Sequence, residues 1–226
     1  MRYLLQRHPK LCSGWRIQRH TITSSFSSTG FSYPAPRALN EIVKIDLLAN
    51  ENADKIAQIW AEYHRDKIDS LAKVIPDKEM QLITDRASSA RLSVIPVYRE
   101  EGFLNMLCQF QDTCFLVTSL EAYQKAPANA SPCVTFSIYN DLASEKSITL
   151  VRGDIVSTVS KKESKSLLSS ILHIYSVPEL YERIVQLNQA SEKFDFEAYR
   201  EALDKKLCEH IEKDTSHLSV KIHASE

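Results

Sequence analysis

From Pro132 to Ile155 the chain reads PCVTFSIYNDLASEKSITLVRGDI, and apolar positions recur every second residue on either side of a polar break. Val134, Phe136 and Ile138 oppose Thr135, Ser137 and Tyr139; Ile148 and Leu150 oppose Thr149 and Val151. A period of two with β-branched and aromatic residues predicts two strands. The polar connection Asn140–Lys146 makes them an antiparallel pair, and that connection is expected to lie outside the core. Upstream, the same alternation predicts strands over Leu92–Tyr98, Phe103–Phe110 and Thr113–Thr118. Pro96 marks the first of these as an edge strand or a bulge, because proline cannot donate to a ladder. Glu100-Glu101-Gly102 and Gln111-Asp112 fit the intervening turns. Leu120–Lys125 reads as a helical turn stopped by Pro127, and the set as a meander of about five strands.

Elsewhere the period is 3.6. Asn50 or Asn52 can cap a helix over 53–69, where Ile56, Ile59, Trp60 and Tyr63 share a face. Before it, Leu39–Leu48 reads as a short helical stripe or a docking strap. Val74-Ile75-Pro76 ends a turn, and Pro76-Asp77 opens a helix to about Ser88. Past Asp154 the chain is helical. Ser160 and Glu163 form a capping box ahead of Leu168, Ile171, Leu172 and Tyr175. Pro178 starts a helix with Leu180, Ile184 and Leu187 on one side, and Phe194, Phe196, Tyr199 and Leu203 lead into a charged last helix. The pattern predicts an α+β fold: an antiparallel sheet of about five or six strands with helices packed mainly on one face.

Charge changes the picture at the N-terminus. The net charge is −1 over 226 residues, but residues 1–40 hold six basic side chains (Arg2, Arg7, Lys10, Arg16, Arg19, Arg37) and no acid. The remaining 186 residues hold 22 basic and 29 acidic groups, a net of −7. An acid-free, Arg- and Ser-rich start is the composition of a mitochondrial presequence; the other reading is a basic tail that binds nucleic acid, against which the arginines are spaced rather than clustered. Residues 1–33 are expected as the presequence, 34–213 as one domain and 214–226 as a flexible polar tail. No run approaches the ~20 apolar residues of a membrane span, so no membrane insertion is expected. An acidic main part argues against a nucleic-acid partner.

Sequence chemistry is sparse. Four glycines argue against glycine-built phosphate loops, and no Walker, Rossmann or GxSxG motif occurs. None of the five cysteines (Cys12, Cys108, Cys114, Cys133, Cys208) has metal spacing, and His64, His173 and His210 lack an i+4 His partner, so no metal and no cofactor is expected. His64-Arg65-Asp66 imitates a kinase catalytic tripeptide but lies on an amphipathic helix without the companion motifs. Arg152-Gly153-Asp154 spells an adhesion tripeptide; the structural reading is that Gly153 lets the strand end approach another backbone, with Arg152 and Asp154 paired locally. A Ser–His–Asp triad, being spatial, stays open. Phe103, Phe115 and Tyr139 are candidates for a face that the helices leave uncovered, and such a patch marks a protein-binding surface.

The succession LNEIVKIDLL, IAQIWAEYHRDK, AKVIP, SVIPVYREEGF, PCVTFSIYNDL and ITLVRGDI, spread in order over residues 38–205, resembles the mitochondrial ATP synthase assembly factors that chaperone the beta subunit of the soluble catalytic head. The resemblance implies a non-enzymatic matrix chaperone that binds unassembled beta subunit, prevents its aggregation and hands it to the alpha subunit. The matching motif positions are Trp60, Tyr63, His64, Ile75, Pro76, Pro96, Arg99, Tyr139, Arg152, Gly153 and Asp154. Arg99, Tyr139 and Arg152 are expected to be exposed, since interfaces favour Tyr and Arg. Partner-binding residues are therefore expected at Arg99, Phe103, Phe115, Tyr139, Arg152 and Asp154, on a monomer. The competing classes are a matrix hydrolase or transferase with a purely spatial site, and a generic matrix adaptor.

Overall fold

The alternating pair becomes two interior strands of one sheet. Val134–Tyr139 (β5) and Ile148–Ile155 (β6) run antiparallel with Phe136 opposite Gly153, Ser137 opposite Arg152 and Tyr139 opposite Leu150. The computed structural model of the chain describes residues 36–156 and 158–223, except the side chains of residue 128 and of residues beyond 209. The presequence expected at residues 1–33 thus lies outside the described residues, as do residues 224–226 of the expected tail. The remaining strands are Ser70–Pro76 (β1), Leu92–Arg99 (β2), Gly102–Gln111 (β3) and Cys114–Ser119 (β4), and the six are ordered β1-β6-β5-β4-β3-β2, antiparallel throughout.

Period-two alternation sorts β5, β6 and β1 into two layers. Val134, Phe136 and Ile138 of β5, Val151 of β6 and Leu71 and Ile75 of β1 enter the main core. Asp77–Ser89 (α3), Lys161–Ser176 (α6), Pro178–Gln189 (α7) and Phe196–His223 (α8) supply its helical side: Ile83, Ile171, Tyr175, Ile184 and Tyr199 are fully enclosed there. Tyr139, Leu150, Ala72 and Val74 point the other way, into a smaller core closed by Ala53–Arg65 (α2) and the segment before it. That segment is a 3-10 turn at Leu39–Glu41 followed by Ile45–Leu48 (α1), and it is the strap the sequence suggested, with Leu39 and Leu48 buried. The helices therefore lie mainly on one face, and α2 with the strap covers the β1–β6–β5 end of the other. Two short helices, Leu120–Lys125 (α4) and Ala143–Lys146 (α5), follow β4 and β5.

Local rules explain most boundaries. Asn52 caps α2 by accepting from the Lys55 amide, Ser160 and Glu163 make both bonds of the capping box, and Pro178 opens α7. The β3–β4 hairpin turns on Asp112 at φ 53, a left-handed position that Asp tolerates. Pro96 sits on an edge strand, as expected. The Phe110 amide donates to the Arg91 carbonyl, so antiparallel alternation turns the bonding groups of Ser93, Ile95 and Val97 toward β3 and the missing N–H of Pro96 outward.

Four expectations need correction. Ser70–Pro76 is a strand, not a turn: Lys73 breaks its apolar run and Pro76 suggested an end, but pairing with β6 makes it the second edge. The α2 helix stops at Arg65, and its buried line is Ile56, Trp60 and His64, leaving Tyr63 44% exposed. Leu142, inside the supposedly solvated β5–β6 connection, is 1% exposed in the smaller core. Gly153 is close-packed against side chains rather than backbone: a Cβ there would lie 2.8 Å from Leu71 Cγ and 3.0 Å from Phe136 Cδ1. The last helix spans Phe196–His223 and so reaches into residues 214–223 of the expected polar tail.

Candidate partner-binding surfaces

The β2–β3 hairpin carries exposed aromatic surface. Its strands place Tyr98 opposite Phe103, and their rings lie 5.8 Å apart. Tyr98, Phe103 and Leu104 are each 40–49% exposed. The ring of Phe103 approaches Phe196 at 6.4 Å and the Arg200 guanidinium at 5.6 Å. Tyr98 donates its hydroxyl to Asp204 Oδ2 at 2.5 Å. Burial and that carboxylate push the Tyr98 hydroxyl up to about 12, and burial also raises Asp204 despite the bond it accepts. The hairpin is thus clamped to α8 by a neutral tyrosine while one side of the aromatic pair stays in solvent.

Arg99 stands at the end of the same hairpin. Its Nε lies 2.8 Å from Glu163 Oε1, and Nη2 donates to the Thr158 carbonyl at 2.7 Å. Burial would raise Glu163, but the bonds from Arg99 and Ser160 outweigh it and hold the carboxyl below its ordinary value. Arg99 therefore braces the start of α6 while keeping 43% of its side chain exposed.

Tyr139, Arg152 and Asp154 share the opposite face of the sheet, beneath α2 and the strap. Trp60 donates Nε1–H to the Val151 carbonyl at 3.1 Å and meets Tyr139 edge-on at 6.3 Å. Tyr139 donates its hydroxyl to the Arg37 carbonyl at 3.0 Å, and burial raises its pKa. Arg152 Nη2 lies 2.5 Å from Asp154 Oδ1, with Arg37 Nη2 at 3.9 Å from the same oxygen. His64 turns Nδ1 to the Trp60 carbonyl at 2.8 Å, and burial holds the imidazole below its ordinary value. Above, the Lys67 ammonium sits 3.2 Å from the Tyr63 ring centre, and its hydrogen bond lowers the Tyr63 hydroxyl.

The six expected partner residues therefore do not form one surface. Arg99 and Phe103 lie together at the hairpin. Asp154 is 40% exposed on the far face. Tyr139 at 7% and Arg152 at 5% are buried rather than exposed, because α2 and the strap cover them. Phe115, at 1%, is not on an uncovered face: it packs against Phe110 and Tyr175 in the main core. Sequence reasoning missed Tyr98, Leu104, Phe196 and Arg200, although the aromatic pair flanking Glu100-Glu101-Gly102 was a legible signal. It also missed Lys161, whose ammonium donates to the His64 and Arg65 carbonyls at 2.8 and 3.0 Å and ties α6 to the end of α2.

Two chemical possibilities can be judged on geometry. Among the described residues, no three His, Cys, Asp or Glu side chains are grouped to hold a metal. No helix there is long and apolar enough to cross a membrane.

Comparison with known proteins adds an independent line. Residues 13–220 match the family model described as ATP11 protein. The chain is 25% identical over 184 residues to the human "ATP synthase mitochondrial F1 complex assembly factor 1", covering 80% of this chain and 56% of that protein. It is 25% identical over 173 residues to the mouse protein of the same name, covering 75% and 52%. The zebrafish protein of that name is 23% identical over 161 residues, covering 70% and 53%. The chain thus spans about half the length of the curated relatives it matches.

Proposed function

Because the chain belongs to the ATP11 protein family, we propose that it is a chaperone of mitochondrial ATP synthase assembly. It binds the unassembled beta subunit of the catalytic head in the matrix, prevents its aggregation, and hands it to the alpha subunit. The observation that carries this reading is the match to relatives named as assembly factors of the mitochondrial F1 complex. The exposed Tyr98, Phe103 and Leu104 on an edge hairpin support it, because apolar surface on a soluble fold suits a protein partner.

The physics of the task is simple. A subunit awaiting its neighbours exposes an apolar interface, and an orphan interface of that kind aggregates. A holder must cover it and yet release it, so exchange follows mass action: alpha wins once its concentration relative to its dissociation constant exceeds the same ratio for the holder. Such a holder is non-enzymatic and works as a monomer, without nucleotide or metal.

The test mixes the full chain with separately purified alpha and beta subunits during dilution from denaturant. Light scattering reports aggregation, and gel filtration reports complexes. Suppression for beta, with a complex that alpha dissolves, is the expected result. No effect on either subunit refutes the reading.

A further inference from the structure

Several enclosed polar groups without a partner lie together beneath α2. Arg152 is 5% exposed, on the face of β6 turned to Trp60 and His64. Only Nη2 has a partner, Asp154; Nε and Nη1 are enclosed with none. His64 is 2% exposed, and its Nε2, the acceptor of the neutral ring once Nδ1–H donates to the Trp60 carbonyl, is likewise enclosed and unpartnered. Ser70, opposite Asp154 in the β1–β6 register, buries its hydroxyl without a partner too. Unmade bonds of buried polar groups are costly, most of all on a cation, and an apolar side chain at position 152 would avoid the cost.

Charge gives the cluster a direction. Arg152 and Lys67 act on both Tyr63 and His64, Arg37 acts on Tyr63, and Asp154 opposes them at His64 and pairs with both arginines. With His64 neutral, these groups carry an excess of two positive charges. The cluster is also near the surface. Asp154, which holds the one satisfied nitrogen, is 40% exposed, and Arg37 beside it 58%. The guanidinium is thus one side chain below solvent.

The geometry points to a carboxylate-accepting site at Arg152, in which an Asp or Glu side chain of the bound partner protein passes Asp154 and takes up the idle donors. This rests on the reading of the chain as a holder of another protein. A carboxylate fits better than phosphate: Asp154 stays in the site, so a monoanion is repelled less than a dianion, and charge-assisted bonds to Arg suit its planar group. The site supplies orientation as well as attraction, because Trp60 and the β6 ladder fix the base of the Arg152 side chain.

The test has two arms. In the first, Trp60 fluorescence is followed in a Trp15→Phe background, since the Trp60 ring lies 4.4 Å from the His64 ring. Acetate, inorganic phosphate and chloride are titrated at constant ionic strength. A saturable response to acetate is expected, weaker to phosphate and absent in chloride. Arg152→Met abolishes it. Asp154→Asn, which keeps an amide oxygen for Nη2 and removes the competing charge, tightens it several-fold. No saturable acetate response, or no gain with Asp154→Asn, means that the idle donors hold only water and overturns the proposal. Tighter phosphate than acetate overturns it as well.

In the second arm, beta subunit with its carboxylates amidated is compared with untreated beta. Wild type should lose about tenfold or more in affinity on amidation, the loss of a charge-assisted bond, and Arg152→Met should lose little further. Equal binding of both forms by wild type overturns the partner carboxylate while leaving chaperoning intact. If untreated beta does not bind at all, the chaperone reading falls, and the acetate arm still decides whether a carboxylate site exists.

Discussion

Replacing Gly153 by alanine tests the packing between β1, β6 and β5. The added Cβ would stand 2.8 Å from Leu71 Cγ and 3.0 Å from both Phe136 Cδ1 and Cε1. Carbon atoms rest at about 3.5–4.0 Å, so three contacts would overlap by roughly half an ångström or more. The neighbours cannot yield easily: Leu71 is 2% and Phe136 0% exposed, and both are locked in register with Gly153 on the strands at either side. Overpacking of this kind costs about 1–3 kcal/mol. For a domain of this size that lowers Tm by roughly 2–12 °C. The assay is thermal unfolding followed by circular dichroism, run on Gly153→Ala, Leu71→Ala and the double variant. Leu71→Ala removes the nearest clashing atom, so the two changes should couple favourably by about 0.5 kcal/mol or more. If Gly153→Ala melts like wild type, within the ~0.5 kcal/mol of a surface change, the close approach of β1 and β5 across this glycine is wrong.

Other outcomes follow from the same packing. His64 is buried neutral, burial and nearby Arg152 and Lys67 outweighing the Trp60 carbonyl and Asp154, so the folded state binds fewer protons than the unfolded one. Stability should then be full above the ordinary imidazole value of 6.5 and fall as pH drops below it; a Tm series from pH 8 to 5 should show the fall, and His64→Gln should flatten it. Ser160→Ala removes one half of the capping box on α6 and should cost about 1 kcal/mol, or roughly 2–4 °C in Tm. Tyr139→Phe deletes the bond to the Arg37 carbonyl; limited proteolysis should cut the strap faster while Tm moves little, and unchanged cleavage would show that the hydroxyl does not hold the strap. Phe103→Asp should weaken the complex with beta subunit without shifting Tm, measured by gel filtration and melting together, whereas Phe115→Asp should prevent folding.

How much of this was readable in advance depended on how local each determinant is. The alternation of β5 and β6, the edge position of β2 through Pro96, the cap at Asn52, the box at Ser160–Glu163 and the start of α7 at Pro178 are set by residues a few positions apart, and each was legible. β1 was not, because Lys73 interrupts its pattern and its strand character comes from pairing with β6, some 78 positions away at Lys73–Val151. The burial of Tyr139, Arg152 and Phe115 was illegible for the same kind of reason. Period two tells which residues share a face, but not which face a distant helix will cover.

The sequence by itself determined the alternating strands, the caps, the acid-free N-terminal composition and the ordered succession of blocks that carries the family resemblance, since all of these are properties of neighbouring residues. Tertiary structure alone decided that α2 and the strap cover the β1–β6–β5 end of the second face, that Arg152 and His64 are buried there with the guanidinium holding donors to spare, and that the exposed aromatics belong to the β2–β3 hairpin. Burial is a relation between segments far apart in the chain. A side chain's period fixes its direction, and only the assembled layers fix what it meets.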